Sequence, residues 1–241
     1  MPVATGWVVC GDKRRTNSLF AGSDDEVKVF ELTRNVVAAM TGLRRVNENN
    51  STYFDVAESV KAFERANRFD GRPEFADALA KALGDAFVAS VPRRIWPQVE
   101  QLEVTGPAAF TVMLFWIDAA GLPHWAETRF HLKGGPRYTS RSTRERAALT
   151  NGLRTLAIGN LAVIQELQHG GLPSFADARR DPDIRSFLIA RYTWRERTAD
   201  DAERFGRRII EFTSERLPEL DKKESNVGSK ADCERVSRRV A

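Results

Sequence analysis

The sequence predicts an α+β fold in which two sheets stack face to face with helices outside them, a four-layer αββα sandwich. Apolar runs typical of strands come in two blocks, before residue 43 and between residues 110 and 132, and helical patterns follow each block. Because strands and helices do not alternate one by one, a parallel βαβ architecture is not favoured. With 241 residues and a hydrophobic fraction of 42%, the chain can build the core of a single domain over residues 1–241.

Three short apolar runs form the first block, and each carries one residue suited to chemistry. Asp12 ends the run Gly6–Asp12, Lys28 lies near the start of the second run, and Gly42 closes the third. As neighbouring strands, these runs would bring a carboxylate, an ammonium and a backbone amide together. Taken singly, the residues are a turn former, an exposed lysine and a turn glycine. Their joint position is what predicts a reaction centre.

Two helices are predicted after the first block, and a β-hairpin after the helices. Apolar residues recur at helical spacing over 56–63 and again over 75–87, and the Gly-Pro turn at 70–73 separates them. The hairpin pairs residues 110–117 with residues 125–132 around a four-residue turn.

A helical insertion is predicted over about residues 134–197. Leucines and isoleucines at helical spacing between residues 149 and 167 predict a long helix, which the Gly-Gly pair starting at Gly170 ends. Another helix is predicted to start after Asp181.

The last predicted helix begins at Thr198, with Asp201 in the position of a capping-box acid. From about residue 218 the chain is polar and charged, which predicts a poorly structured tail. Residues 231–236 are a weak candidate for one more short strand, because three of them are charged.

Charge and composition exclude several classes of function. The net charge is +4 and the pI about 9.3, but the basic pairs are scattered along the chain, so no dedicated nucleic-acid surface is predicted. His124, His131 and His169 have no metal-ligand spacing, and we predict neither a metal nor another cofactor.

The cysteines and the hydropathy indicate where the protein works. Cys10 and Cys233 lie far apart, so the sequence implies no disulfide, and Cys10 is expected to be a small buried thiol within a strand. The first residues have no signal-peptide pattern, and no apolar stretch has the length of a bilayer. These features predict a cytoplasmic protein without a membrane partner.

The run Gly6–Asp12 with the following Lys-Arg-Arg-Thr resembles the second strand of proteasome β-type subunits, where a Gly-Val-Val-like run ends in Ala-Asp-x-Arg-x-Thr. Lys28 follows Asp12 by sixteen residues and Gly42 follows Lys28 by fourteen, and both separations are similar to those of that family's Asp, Lys and oxyanion-hole Gly. Residues 227–232 weakly resemble the family's entry to a late strand. The resemblance is good over the first 42 residues and poor between about residues 134 and 197.

The resemblance implies an N-terminal-nucleophile hydrolase fold and a threonine-type peptidase. In that family an N-terminal threonine is the nucleophile, and its own amine is the general base. The catalytic residues implied here are Asp12, Lys28 and Gly42. Lys28 would lower the pKa of the amine and polarise the hydroxyl, Asp12 would orient Lys28, and the Gly42 amide would stabilise the oxyanion. A ring-like homo-oligomer, or assembly with related subunits, and a peptide or protein substrate are implied as well.

The nucleophile itself has no counterpart in the sequence. The family places it sixteen residues before the aspartate, which would fall upstream of Met1. Thr5 is excluded because seven residues of strand separate it from Asp12, roughly 23 Å at 3.3 Å per residue. The family's Ser-Gly-rich turn corresponds to Gly134 and the glycine after it, which have no hydroxyl. Glu224 and Val227 are the nearest candidates for its late Asp and Ser.

Three functions therefore stay open. The first is a threonine-type peptidase whose first strand, with a threonine about five residues before Met1, is missing from this chain. The second is a non-catalytic structural or interaction subunit of a proteasome-like assembly. The third is an amidase of the same fold, which acts on a small amide and also needs a processed N-terminal Cys, Ser or Thr.

Overall fold

The structure is a computed structural model that combines antiparallel sheets with α-helices, which confirms the predicted α+β class. The residues it describes are 1–3, 5–13, 15–17, 20–23, 26–48, 51–72, 74–105, 108–121, 123–142, 161–170, 172–189, 196–221 and 230–237.

Eight short strands precede the first helix. They are β1 (Pro2–Val3), β2 (Gly6–Asp12), β3 (Arg15–Asn17), β4 (Phe20–Ser23), β5 (Val29–Thr33), β6 (Val36–Gly42), β7 (Arg45–Glu48) and β8 (Ser51–Asp55).

Helices and four more strands make up the rest of the described chain. They are α1 (Val56–Asn67), α2 (Glu74–Ser90), a 3-10 turn (Arg93–Ile95), α3 (Trp96–Thr105), β9 (Phe110–Ile117), β10 (Pro123–His131), β11 (Arg137–Ser142), α4 (Ala162–His169), α5 (Pro173–Ala178), α6 (Pro182–Ile189), α7 (Ala199–Asp221) and β12 (Ala231–Ser237).

Two sheets organise the described strands. The larger has the order β11-β10-β9-β6-β5, and the smaller has the order β1-β2-β12, with antiparallel pairing throughout. The hairpins β3–β4 and β7–β8 lie outside both sheets. The prediction that Asp12, Lys28 and Gly42 lie on three neighbouring strands is therefore wrong for Asp12. Its strand, β2, belongs to the smaller sheet, where its partners are β1 and β12. Lys28 lies just before β5, whose first residue is Val29.

Among the described residues, the apolar core is divided into three clusters, and a single strand can contribute to two of them. Along β6, Val36, Ala38 and Met40 pack with α1 and α2, whereas Val37 and Ala39 pack towards β2. The period-2 alternation of a strand produces this division, because successive side chains point to opposite faces.

The cluster between the sheets joins residues of both. Its buried members are Trp7, Val9, Val29, Val37, Ala39, Met113, Phe115 and Val236. On the other face of the smaller sheet, Val3 and Val8 pack against α4 to α7, whose buried members include Val163, Leu167, Phe175, Ile184, Phe187, Phe205, Ile209 and Phe212. Both faces of β2 are thus covered by apolar side chains.

Several predicted elements are confirmed. The stretch 56–63 lies in α1, the stretch 75–87 lies in α2, and β9 and β10 form the hairpin. The helix from Thr198 is α7, and Thr198 Oγ1 accepts the Asp201 N–H at 3.1 Å as a capping box requires. Helix α6 follows Asp181, and α4 ends at His169.

The predicted long helix over 149–167 can be followed only in part. Its last turns are α4, and residues 143–160 lie outside the described residues. Beyond residue 218, α7 continues to Asp221, and the weak candidate strand at 231–236 is β12.

The hairpin β7–β8 was not predicted and separates Gly42 from α1. Glu48 at the end of β7 pairs with Ser51 at the start of β8, and the last residue of the hairpin, Asp55, is the N-cap of α1. Asp55 Oδ1 accepts the Glu58 N–H at 3.0 Å. The hairpin therefore sets where α1 starts relative to Gly42.

Cys10 and Cys233 form a disulfide, so the expectation of an unpaired buried thiol is wrong. The two residues are direct partners in the antiparallel β2–β12 pair, which brings their Cα atoms to 4.1 Å despite 223 residues of separation. Sequence spacing alone could not show this pairing, because it depends on β12 lying beside β2.

None of the described helices is long and apolar enough to cross a lipid bilayer.

Candidate active site

Asp12 and Lys28 form an ion pair that connects the two sheets. Lys28 Nζ donates to Asp12 Oδ1 at 2.9 Å and to Oδ2 at 3.0 Å. The side chains are 18% and 20% exposed, respectively, so the pair lies at the edge of the core and within reach of solvent. The structure thus brings together the acid and the base that the sequence singled out.

Backbone contacts place the two residues at this point. Gly11 allows the close approach of the strands, because a Cβ there would lie 2.7 Å from Val29 Cγ2 and 3.5 Å from Lys28 Cβ. On the other side, Met40 N–H donates to the Lys28 carbonyl at 2.9 Å, which fixes the Lys28 backbone against β6.

Gly42 lies at the end of β6, two residues beyond Met40, and is exposed. In a strand alternate N–H groups point to the same side, so the Gly42 N–H points to the side on which Met40 donates to Lys28. The neighbouring Leu43 N–H points the other way and donates to the Ala109 carbonyl at 2.8 Å. The Gly42 N–H therefore points to the edge of β6 on which the Lys28 backbone lies.

Glycine is required at position 42 for two reasons. Its φ of +85° lies in the region that L-residues avoid, and a Cβ would lie 2.5 Å from the Ala109 carbonyl oxygen. The site's amide is thus held in a conformation that only glycine adopts easily.

We expect Gly42→Ala to lower the free energy of unfolding by more than Gly135→Ala in urea denaturation. Both glycines have positive φ, so both variants carry a backbone strain of roughly 1–3 kcal/mol. Only Gly42→Ala adds a clash, since nothing lies within 4 Å of a Cβ at Gly135. Equal losses would show that the contact with Ala109 relaxes without cost.

A buried ionic network lies beside the site and was missed by the sequence analysis. Arg44 Nη1 pairs with Glu26 Oε1 at 2.9 Å and donates to the Val27 carbonyl, and Arg44 Nε lies 3.6 Å from Asp55 Oδ1. Arg45 donates to the other oxygen of Asp55. The sequence showed Arg44 and Arg45 only as one of several basic pairs, and nothing in it links them to Glu26.

Asp55 is a carboxylate stabilised by its neighbours. Burial raises the pKa of Asp55, but the hydrogen bonds from Arg45 and the Glu58 amide, with the charges of Arg44 and Arg45, outweigh it and hold that pKa below its usual range. Asp55 is therefore a carboxylate at neutral pH.

The N-terminal amine does not lie at this site. Strand β1 pairs with β2 through Pro2 and Trp7, and the Met1 amine donates to the Val8 carbonyl at 2.6 Å. Asp12 lies four residues farther along β2 than Val8. Thr5 is in the turn between β1 and β2, at the end of β2 away from Asp12, as predicted.

The Met1 amine is buried in the cluster formed with α4 to α7. Burial, and secondarily the charge of Arg197, lower the pKa of this amine from 8.0 to about 5. Arg197 also donates to the Pro2 carbonyl at 3.0 Å. At neutral pH the amine is therefore uncharged.

The remaining predicted positions divide into two groups. Gly134 and Gly135 form the turn between β10 and β11, at the same end of the larger sheet as Gly42, since Gly42 pairs with Phe110 and Phe110 with Phe130. Glu224 and Val227 lie outside the described residues.

The arrangement can stabilise a negative charge. A fixed ammonium and an N–H donor beside it are the elements that stabilise an oxyanion, and removing one such donor typically costs about 100- to 1,000-fold in rate. The carboxylate of Asp12 holds the ammonium in place.

No protein-family model matches this chain, and no curated protein sequence matches it.

Proposed function

We propose that this chain is a proteasome β-like, threonine-type peptidase subunit with the four-layer αββα fold of N-terminal-nucleophile hydrolases. The core supports this fold, because the larger sheet packs α1 and α2 on one face and the smaller sheet on the other, and the smaller sheet packs α4 to α7 on its far face. Assembly into a ring-like oligomer and a cytoplasmic location belong to the same proposal.

The observation that carries the proposal is the Asp12–Lys28 ion pair, with Gly42 two residues beyond Met40, whose N–H donates to the Lys28 carbonyl. A threonine hydroxyl attacks a peptide carbonyl only when a base removes its proton, and a nearby ammonium favours the resulting alkoxide. In the proposed mechanism Lys28 polarises the hydroxyl, Asp12 holds Lys28, and Gly42 donates to the oxyanion of the tetrahedral intermediate.

The strand register shows where a nucleophile would have to lie. Because Met1 is opposite Val8 and β2 runs four residues farther to Asp12, a residue opposite Asp12 would lie four positions before Met1. Sequence spacing from the family gave about five positions. A polypeptide that starts at Met1 is therefore expected to be inactive by itself.

A non-catalytic structural or interaction subunit is the second candidate. In a polypeptide whose first residue is Met1, the amine is buried among apolar side chains and is not available as a general base at Lys28, which would favour this candidate. This candidate predicts a defined oligomer without peptide hydrolysis.

Covalent labelling tests the proposal. Two polypeptides are compared, one starting at Met1 and one extended by an N-terminal threonine and three valines, so that the threonine falls opposite Asp12. Each is treated with a peptide epoxyketone, which forms an adduct with an N-terminal threonine, and its intact mass is measured. The extended polypeptide is expected to gain one adduct, and the polypeptide from Met1 none.

Two controls make the labelling specific. Replacing the added threonine by valine removes the nucleophile, and Lys28→Met in the extended polypeptide removes the ammonium. Both are expected to abolish the adduct. An extended polypeptide that folds, keeps the Asp12–Lys28 pair and still does not react would contradict the peptidase and leave the structural subunit. The N-terminal mass of the protein isolated from its organism then shows which form exists.

A further inference from the structure

Arg44, two residues after the candidate oxyanion donor Gly42, is anchored to the rest of the fold through its backbone. The Arg44 carbonyl accepts the Val56 N–H at 2.9 Å, which ties it to the start of α1. One residue earlier, Leu43 N–H donates to the Ala109 carbonyl at 2.8 Å. The backbone from Gly42 to Arg44 is therefore held by both the larger sheet and the first helix.

From this anchored position the Arg44 side chain reaches the segment that carries Lys28. Its Nη1 pairs with the Glu26 carboxylate at 2.9 Å and donates to the Val27 carbonyl. The Arg44 side chain is 13% exposed and the Glu26 side chain 9%, so this pair is shielded from solvent. A charge-assisted contact of this kind is stronger and more directional than a contact between neutral groups.

The segment at residues 26–28 carries an exposed valine, and hydrogen bonds and charges link it to its neighbours. Val27 is 43% exposed, and the β5–β6 ladder starts only at Val29. Glu26 N–H donates to the Lys13 carbonyl at 2.9 Å, which ties the segment to the smaller sheet. The Arg44 side chain links the same segment to the part of the chain that follows Gly42.

We propose that Arg44 is a positioning residue, which sets the place of Lys28 relative to the Gly42 amide through its contacts with Glu26 and Val27. The importance of Arg44 for catalysis rests on the proposed function. Arg44 touches neither the reacting groups nor Lys28 Nζ. It acts on the backbone that carries Lys28.

If Arg44 places the backbone of Lys28, its loss also moves Lys28 relative to Asp12, and a zero-length crosslink measures that position without any need for activity. A water-soluble carbodiimide activates the Asp12 carboxylate as an O-acylisourea, the deprotonated Lys28 amine attacks it, and a urea leaves as the amide forms. The protein loses the mass of one water. The crosslinked peptide is quantified by mass spectrometry after digestion.

Arg44→Met is compared with Arg45→Met, a matched control. Both variants remove a cation from Asp55, but Arg45 is 39% exposed and donates to Asp55, whereas Arg44 contacts Glu26 and Val27. We expect Arg44→Met to lower the crosslink yield roughly tenfold or more, because the yield depends on the mutual position of the two groups. Arg45→Met is expected to stay within about twofold of the parent protein.

Arg44→Lys keeps the charge and serves where Arg44→Met does not fold. One ammonium cannot reproduce the guanidinium fork, so a severalfold lower yield is expected here too. Yields at the parent level in both Arg44 variants, or equal losses in Arg44→Met and Arg45→Met, would overturn the proposal. The crosslink result is independent of epoxyketone labelling, so a failure of the peptidase proposal would be seen separately.

Discussion

Reduction of the Cys10–Cys233 disulfide will lower the free energy of unfolding by about 2 to 5 kcal/mol, the range for native disulfides that close long loops. The loop closed here spans 223 residues, so the crosslink removes much conformational freedom from the unfolded chain. The loss is to be measured by urea denaturation with and without a dithiol reductant.

The double variant Cys10→Ser with Cys233→Ser is the control, because it should be equally stable with and without reductant. Intact mass under non-reducing conditions reports the bond directly, since the disulfide form is lighter by two hydrogens. If purified oxidised protein has the mass of the dithiol, the pairing is wrong. Disulfides are rare in the cytosol, so the redox state of these cysteines in the cell also tests the proposed cytoplasmic location.

Protein prepared with Met1 as its first residue will lose stability as the pH falls from 8 to 5. The Met1 amine has a pKa of about 5 in the folded chain and 8.0 as its ordinary value, so the unfolded state binds the proton more tightly. The penalty is absent above pH 8, grows as the pH falls, and is complete below pH 5. The difference between a pKa of 8.0 and a pKa of about 5 corresponds to about 4 kcal/mol of stability.

An N-acetylated form of the same polypeptide is the matched control, because its Met1 nitrogen does not titrate. Urea midpoints between pH 5 and pH 8.5 should fall with pH for the free amine and much less for the acetylated form. Equal slopes would show that the amine is not buried as described. The lowered pKa of Asp55 acts in a separate window, since its stabilisation is lost only as the pH falls below about 4.

Local patterns predicted most of the elements but not how they assemble. The period of the apolar residues identified α1, α2 and the β9–β10 hairpin, and the Thr198–Asp201 pair identified the start of α7. Each of these signals lies within a short continuous stretch of the sequence. The placement of β12 beside β2 has no such local signal, because only the β2–β12 register, set by the whole core, defines it.

The candidate site shows the same limit. The spacing of Asp12, Lys28 and Gly42 predicted that they come together, and the Asp12–Lys28 ion pair confirms that for the acid and the base. The contribution of Arg44 could not be predicted, because its partner Glu26 lies on a segment that reaches it only in the folded structure. Nor did the polar run after Val46 indicate a hairpin between Gly42 and α1.

The pairing of β2 with β12 has a consequence for synthesis on the ribosome. The strand at residues 6–12 is made long before its partner at residues 231–237. Until that partner has been made, one edge of β2 has no native neighbour, and an unpaired edge can pair with another chain. We therefore expect the nascent protein to depend on chaperones until β12 leaves the exit tunnel.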